Sequence, residues 1–210
     1  GGGSIWPLET LAGLRALCDQ HDIKLHMDGA RLMNASVGSD TPVSVIASYP
    51  DSVWIDLSKG LGAPVGAVLT GTKDFIEEGR YWKHRLGGAM RQAGIIAAAG
   101  IYAFEHNVER MAIDHENAKF LAEGIGNAPG VEVRQTPVET NIVIFDVSGT
   151  GMSAVDFAQA LRDEHGVSMS PYIDPRTVRA VTHMDVDRDD CAKAIAAVEA
   201  VAAGARQRAA

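Results

Sequence analysis

Two apolar runs with charged residues at their ends constrain the fold most. IKLHMD, positions 23–28, stops at Asp28, and SVWIDLS, positions 52–58, stops just before Lys59. The 31 positions from Asp28 to Lys59 are about the length of one β-α-β unit, with its helical part within 31–49. A crossover of that kind makes the two strands parallel, so both carboxyl ends reach the same edge of a sheet. Open α/β sheets bind their ligands at that edge. VGAVLTG, positions 65–71, reads as a third strand, and Lys73–Arg85 as a charged amphipathic helix. Upstream, Pro7-Leu8-Glu9 opens a helix, because proline is preorganised for a first turn. Leu8, Leu11, Leu14 and Leu17 form one apolar stripe reaching Cys18.

The second half changes character. Positions 90–126 read as one long helix containing Ala97-Ala98-Ala99-Gly100. Glycine inside a helix costs about 1 kcal/mol relative to alanine, so close packing at Gly100 is the expected compensation. VEVR and NIVIFDV follow as strands, then a helix over about 153–164, then VRAVTH as a further strand. The last helix starts with Asp187 as its N-cap and Asp189-Asp190 in its first turn. The expected fold class is α/β, with a small α+β carboxy-terminal domain hung from the long helix. The domain division is 1–108 and 109–210.

Composition narrows the function classes. At 210 residues, 46% hydrophobic, the chain can bury a substantial core in one large domain or two small ones. No uncharged apolar stretch is long enough to cross a bilayer, and no signal peptide is visible, so no membrane partner is expected. Nineteen Lys and Arg against 27 Asp and Glu leave a net charge of −8, which argues against nucleic acid as a partner. Two cysteines, Cys18 and Cys191, are too few for a disulfide framework and favour a reducing, cytoplasmic setting. The seven histidines are scattered without metal-ligand spacing, so no metal is expected.

Lys59 stands at the lip of this sheet, followed by Gly60, Gly62 and Gly66. Taken alone it reads as a solvated surface charge or as half of a structural ion pair with Asp28. A third reading is chemical. A lysine that forms an imine with pyridoxal phosphate needs a carboxylate at the ring nitrogen to keep that nitrogen protonated. The amine must also sit in a partly desolvated, cationic pocket to act as a nucleophile. On this reading the glycines leave room for a planar ring. A phosphate-cradling loop of the form G-x-x-x-x-G-K-S/T does not apply, since Lys59 precedes its glycines. SGTGMS, positions 148–153, lacks a lysine and reads as a turn into the next helix.

GGSIWPLETL, LHMDGARLMNA, DLSKGLGAPVGAVL, GGAMRQAGIIAAAGIYA and VRAVTHMDV together resemble the L-threonine aldolase family, in the fold-type-I group of pyridoxal-phosphate enzymes. The resemblance runs from Gly2 to about Asp187. It implies part of a fold-type-I transferase-like major domain, with a mostly parallel sheet, plus the small carboxy-terminal domain. It implies pyridoxal 5′-phosphate as cofactor, carried by Lys59, with Asp28 on the pyridine nitrogen. Arg31 and Arg179 would hold the substrate carboxylate, Arg31 also bordering the cofactor, as guanidinium forks fit carboxylates. Arg91, at the start of the long helix, would reach a neighbouring subunit's cofactor phosphate. That implies a homodimer or homotetramer with shared sites. The chain departs from the family pattern at Ala89, where a third glycine is usual, and at His84, where a lysine is common; Lys83 is the substitute phosphate contact. His26 and His183 adjoin the site motifs and read equally well as structural.

The implied activity is cleavage of an L-β-hydroxy-α-amino acid, such as threonine, allo-threonine or phenylserine, to glycine and an aldehyde. Another β-eliminating amino-acid lyase is the alternative enzymatic reading. The family's amino-terminal portion, with its phosphate-binding turn and ring-stacking histidine, has no counterpart here, so the chain is expected to be a fragment of a longer enzyme. A non-catalytic dimerisation domain is therefore a third reading.

Overall fold

In the computed structural model, which describes residues 2–209, strand β1 (His26–Asp28) pairs in parallel with β2 (Ser52–Asp56), Asp28 opposite Trp54. Helices α2 (Leu32–Ser39) and α3 (Val43–Ile46) fill the crossover. The β-α-β unit expected from the spacing of Asp28 and Lys59 is thus present. Strand β3 (Ala67–Thr70) joins the other side of β2 in the antiparallel sense, giving the order β1-β2-β3. The connection from Asp56 to Ala67 is shorter than the dozen or so residues a parallel crossover needs. This sheet therefore holds one parallel and one antiparallel pair.

Strand β2 ends at Asp56, three residues before Lys59. The Asp56 carboxylate accepts the Ser58 N–H (2.8 Å) and the Ser58 hydroxyl (2.7 Å), which bends the chain out of the strand. Helix α1 (Leu8–Gln20) buries Leu11 and Cys18 but leaves Leu17 52% exposed. Steps of three residues drift backwards round a 3.6-residue turn, so a stripe of such steps leaves the core face, whereas the seven-residue step from Leu11 to Cys18 returns to it. Helix α4 (Lys73–Arg85) has the bounds expected of it, capped by the Thr72 hydroxyl on the Phe75 N–H.

The long helix expected over 90–126 is two helices, α5 (Gly94–His106) and α6 (Met111–Ile125). Asn107 ends α5 and spends its side-chain amide on the Leu61 carbonyl (2.7 Å). Ala103 and Met111, on either side of the break, both enter a core cluster with Met33, Leu57, Leu61 and Ala63. Gly100 is tightly packed as expected: a Cβ there would lie 3.0 Å from the Leu57 Cδ1.

The chain divides into two compact units, Ile5–Met111 and a second that joins the amino-terminal residues through Ser4 to the stretch from Ala112 onward. In the second unit the Thr140 hydroxyl holds the Gly3 carbonyl (2.6 Å), and Gln135 donates to Ser4. Its sheet is antiparallel, in the order β4 (Glu132–Val133), β5 (Ile142–Asp146), β7 (Thr177–Val181), β6 (Ser170–Pro171). Val143, Phe145 and Val178 meet Phe157 and Leu161 of α7 (Ala154–His165) and Val198 of α8 (Arg188–Ala209), with Phe145 and Phe157 edge to face. Ser153 caps α7 and Asp187 caps α8, each accepting the N–H of the residue three further on. SGTGMS is a 3-10 turn followed by Gly151 at φ 78°, leading into α7 as its sequence indicates. Cys18 and Cys191 are buried free thiols. Among the described residues no helix is long and apolar enough to cross a membrane, and no group of three His, Cys, Asp or Glu side chains is placed to hold a metal.

Candidate active site

The candidate residues Asp28 and Lys59 are placed by the carboxyl ends of the parallel strands β1 and β2. Gly29 continues the pairing one step beyond Asp28 by donating its N–H to the Trp54 carbonyl (2.9 Å). A Cβ at Gly29 would lie 2.5 Å from that carbonyl oxygen, so the step demands glycine. Asp28, at the very end of β1, is exposed and accepts the Ala30 N–H through Oδ1 (3.1 Å). Arg31 follows at the N-cap position of α2, half-buried.

Lys59 does not form its ion pair with Asp28. Its Nζ lies 2.9 Å from the Asp56 Oδ2 and 5.4 Å from the centre of the Trp54 ring. The Asp56 side chain is 13% exposed and the Lys59 side chain 40%. Burial pushes the Asp56 carboxyl up, but hydrogen bonds from Lys59 and from Ser58 outweigh it, and the group ends below its usual range. Asp56 escaped notice in the sequence because strand alternation alone does not reveal a partner three residues before a lysine; the signal was the spacing D-L-S-K itself.

The glycines after Lys59 do not simply clear space. A Cβ at Gly60 would meet the Asn34 Oδ1 at 3.1 Å and the Met111 Cε at 3.2 Å, so Gly60 lets the loop lie against its own unit. Gly62 and Gly66 have φ of 71° and 118°, where the chain turns back towards β3. Beside Gly60, Arg31, Asn34 and Asp56 line a cavity of about 10 Å³, the size of one water molecule.

The candidate phosphate contacts lie further along the same unit. Lys83 is exposed in the last turn of α4, and His84 ties its Nδ1 back to the Arg80 carbonyl (2.8 Å). Arg91 is exposed in the turn before α5, which begins only at Gly94. It therefore stands outside the helix whose start it was expected to occupy. The break falls there because residues 91–93 form a turn, with Gln92 at φ 51°.

Arg179 belongs to the other unit, on β7 opposite Ile144, with its guanidinium 5.6 Å from the Tyr172 ring centre. Within that unit Arg179, Ser170, His183 and Lys193 line a cavity of about 540 Å³. His183 takes the Asp185 N–H on Nδ1 (3.3 Å), and His26 shares a hydrogen bond with the Ser52 hydroxyl (2.8 Å). Both histidines are thereby occupied in local structure.

The sequence model of the Beta-eliminating lyase family matches residues 1–148 of this chain. The chain belongs to the beta-eliminating lyase family. Within it, the chain is 39% identical to a low specificity L-threonine aldolase of Escherichia coli K12, over 92% of this chain and 56% of that protein. It is also 39% identical to a probable low-specificity L-threonine aldolase of Arabidopsis thaliana, over 90% of this chain and 53% of that protein. The chain spans about half the length of the curated relatives it matches. The crystal structure of a putative L-allo-threonine aldolase from Listeria monocytogenes superposes with a TM-score of 0.76 at 27% identity, covering 95% of this chain and 58% of that one. The fold is therefore the one implied by the motifs, α/β with part of a fold-type-I transferase-like major domain.

The residues present fit the cofactor this family resemblance implies. An exposed carboxylate, one oxygen of which is held by a backbone N–H, ends β1, and a solvent-accessible primary amine stands three residues past the end of the parallel strand β2.

Proposed function

We propose that the protein cleaves an L-β-hydroxy-α-amino acid, of the size of threonine, allo-threonine or phenylserine, to glycine and an aldehyde, using pyridoxal 5′-phosphate. The observation that carries this reading is the placement of Lys59 and Asp28 at one edge of the parallel pair, in a chain of the beta-eliminating lyase family. The names of the relatives give it its substrate class.

Lys59 would hold the cofactor through its amine, and Asp28 would keep the ring nitrogen protonated, a charge-assisted hydrogen bond worth about 1.5–3 kcal/mol. When bound, the cofactor supplies a sink for the electron pair left when a bond to Cα breaks. Arg31 and Arg179 are the proposed forks for the substrate carboxylate, which fixes the amino acid by its constant end and leaves the β-substituent free to vary. In the net reaction the Cα–Cβ bond breaks, a base takes the β-hydroxyl proton and Cα gains a proton. Lys83 and Arg91 are the proposed phosphate contacts, Arg91 reaching the cofactor of a neighbouring copy in a homodimer or homotetramer. Two buried thiols, Cys18 and Cys191, suit a cytoplasmic setting.

The family description itself favours one further reading, β-elimination to ammonia and a keto acid. Product analysis separates the two. With L-threonine and L-phenylserine, equimolar glycine and aldehyde support aldol cleavage, ammonia with a keto acid supports elimination, and neither product contradicts both.

A further inference from the structure

Lys59 would be bonded to the cofactor for only part of a turnover, because a substrate amine must take its place. The freed amine then needs a defined resting position from which it can return. We propose that Asp56 is the positioning residue of Lys59, its carboxylate receiving the Lys59 ammonium whenever that amine is released. This rests on the proposed function, since it requires Lys59 to be the cofactor-bearing amine.

Four features single out Asp56. It is the last residue of β2 and is paired in register with Ala67, so its backbone is fixed by the sheet. Its Oδ1 accepts both the N–H and the hydroxyl of Ser58, which leaves Oδ2 to meet the Lys59 Nζ at 2.9 Å. The acid is much less exposed than the lysine, 13% against 40%, so the carboxylate is the fixed member and the amine the movable one. Trp54 lies two residues back on the same face of β2, with its ring centre 5.4 Å from the ammonium. An ordinary surface ion pair lacks such a held acid and aromatic floor. Lys193 with Asp190, also at 2.9 Å and i,i+3, is a contrast within this chain: there the acid is 45% exposed.

The test is the rate at which Lys59 is modified by formaldehyde and cyanoborohydride at neutral pH, read by peptide mapping with the other lysines as internal controls. An amine engaged by a carboxylate at 2.9 Å is less available to the reagent, so Asp56→Asn is expected to speed labelling of Lys59 by up to about fivefold, leaving Lys193 unchanged. Equal rates at Lys59 in the two proteins would overturn the proposal. If circular dichroism shows that Asp56→Asn does not fold, Ser58→Ala takes its place. It removes one of the two hydrogen bonds to the Oδ1 of Asp56, keeping the N–H bond and the charge, and is expected to give a smaller acceleration at Lys59 alone; no acceleration again overturns the proposal. A parallel incubation of the unaltered protein with pyridoxal phosphate and borohydride tests the underlying function separately. A pyridoxyl mark on Lys59 with unchanged formaldehyde rates rejects only Asp56, whereas no mark on Lys59 rejects the function and with it the role of Asp56.

Discussion

In the unit that begins at Ala112, Phe145, Phe157, Leu161 and Val198 are fully buried between a four-stranded sheet and its helices. In the Ile5–Met111 unit, helix α4 buries none of its residues, β3 is exposed at every position, and Leu86 and Ile95 are 81% and 79% exposed. The two units thus differ in how far each covers its own apolar surface. Of the residues proposed for chemistry, Lys59, Asp28, Arg31, Lys83 and Arg91 lie on the less covered unit and Arg179 on the other. Extended exposed apolar surface marks places where another surface docks, which agrees with the proposal of sites shared between copies.

The largest effect should come from the closed unit. Phe157→Ala removes a buried ring packed against Phe145 and should cost about 3–5 kcal/mol in urea unfolding. A cost below 1 kcal/mol would mean that this core is not the source of that unit's stability. Next is Gly29→Ala, where the new methyl would collide with the Trp54 carbonyl. It should cost more than about 1 kcal/mol, as for other substitutions the native backbone cannot accommodate, and should disturb the edge that carries Asp28.

An acid effect on the open unit is expected to be smaller. Asp51 accepts the Leu25 N–H and is paired with Arg15 and Lys24, which together hold its carboxyl down at about 2. Its folded value lies below the ordinary 3.8, so its contribution to stability is complete above about pH 4 and is lost as pH falls through about 2. A carboxyl titration midpoint for Asp51 near 4, followed by NMR, would contradict this. The smallest effect belongs to Trp82→Ala. Trp82 is half exposed on α4, and its loss should change the stability of this chain by no more than about 0.5 kcal/mol. A cost comparable with that of Phe157→Ala would erase the difference between the two units.

Elements with local signals were legible from sequence. Asp187 caps its helix as its residue type predicts, the helix Lys73–Arg85 has its expected bounds, and the spacing of Asp28 and Lys59 announced a parallel pair. What was not legible depends on distant partners. The division between α5 and α6 rests on Asn107 reaching the Leu61 carbonyl, 46 residues away, which no periodicity encodes. Strand β6 is only Ser170–Pro171, too short to alternate and half proline. The antiparallel β3 follows from loop length rather than from its own residues. At the site, both strand-end residues were legible by type, but the partner of Lys59 is set by the Ser58 turn that aims Asp56 at it.

The central claim, that Lys59 is the amine that holds the cofactor, is tested most directly by absorbance and mapping. The protein is mixed with pyridoxal phosphate, its visible spectrum recorded, and the mixture reduced with borohydride before peptide mapping. A yellow band that disappears on reduction, with the pyridoxyl group fixed on the peptide containing Lys59 and absent in Lys59→Ala, is the predicted result. A band that persists unchanged in Lys59→Ala, or a label on other lysines only, would contradict it.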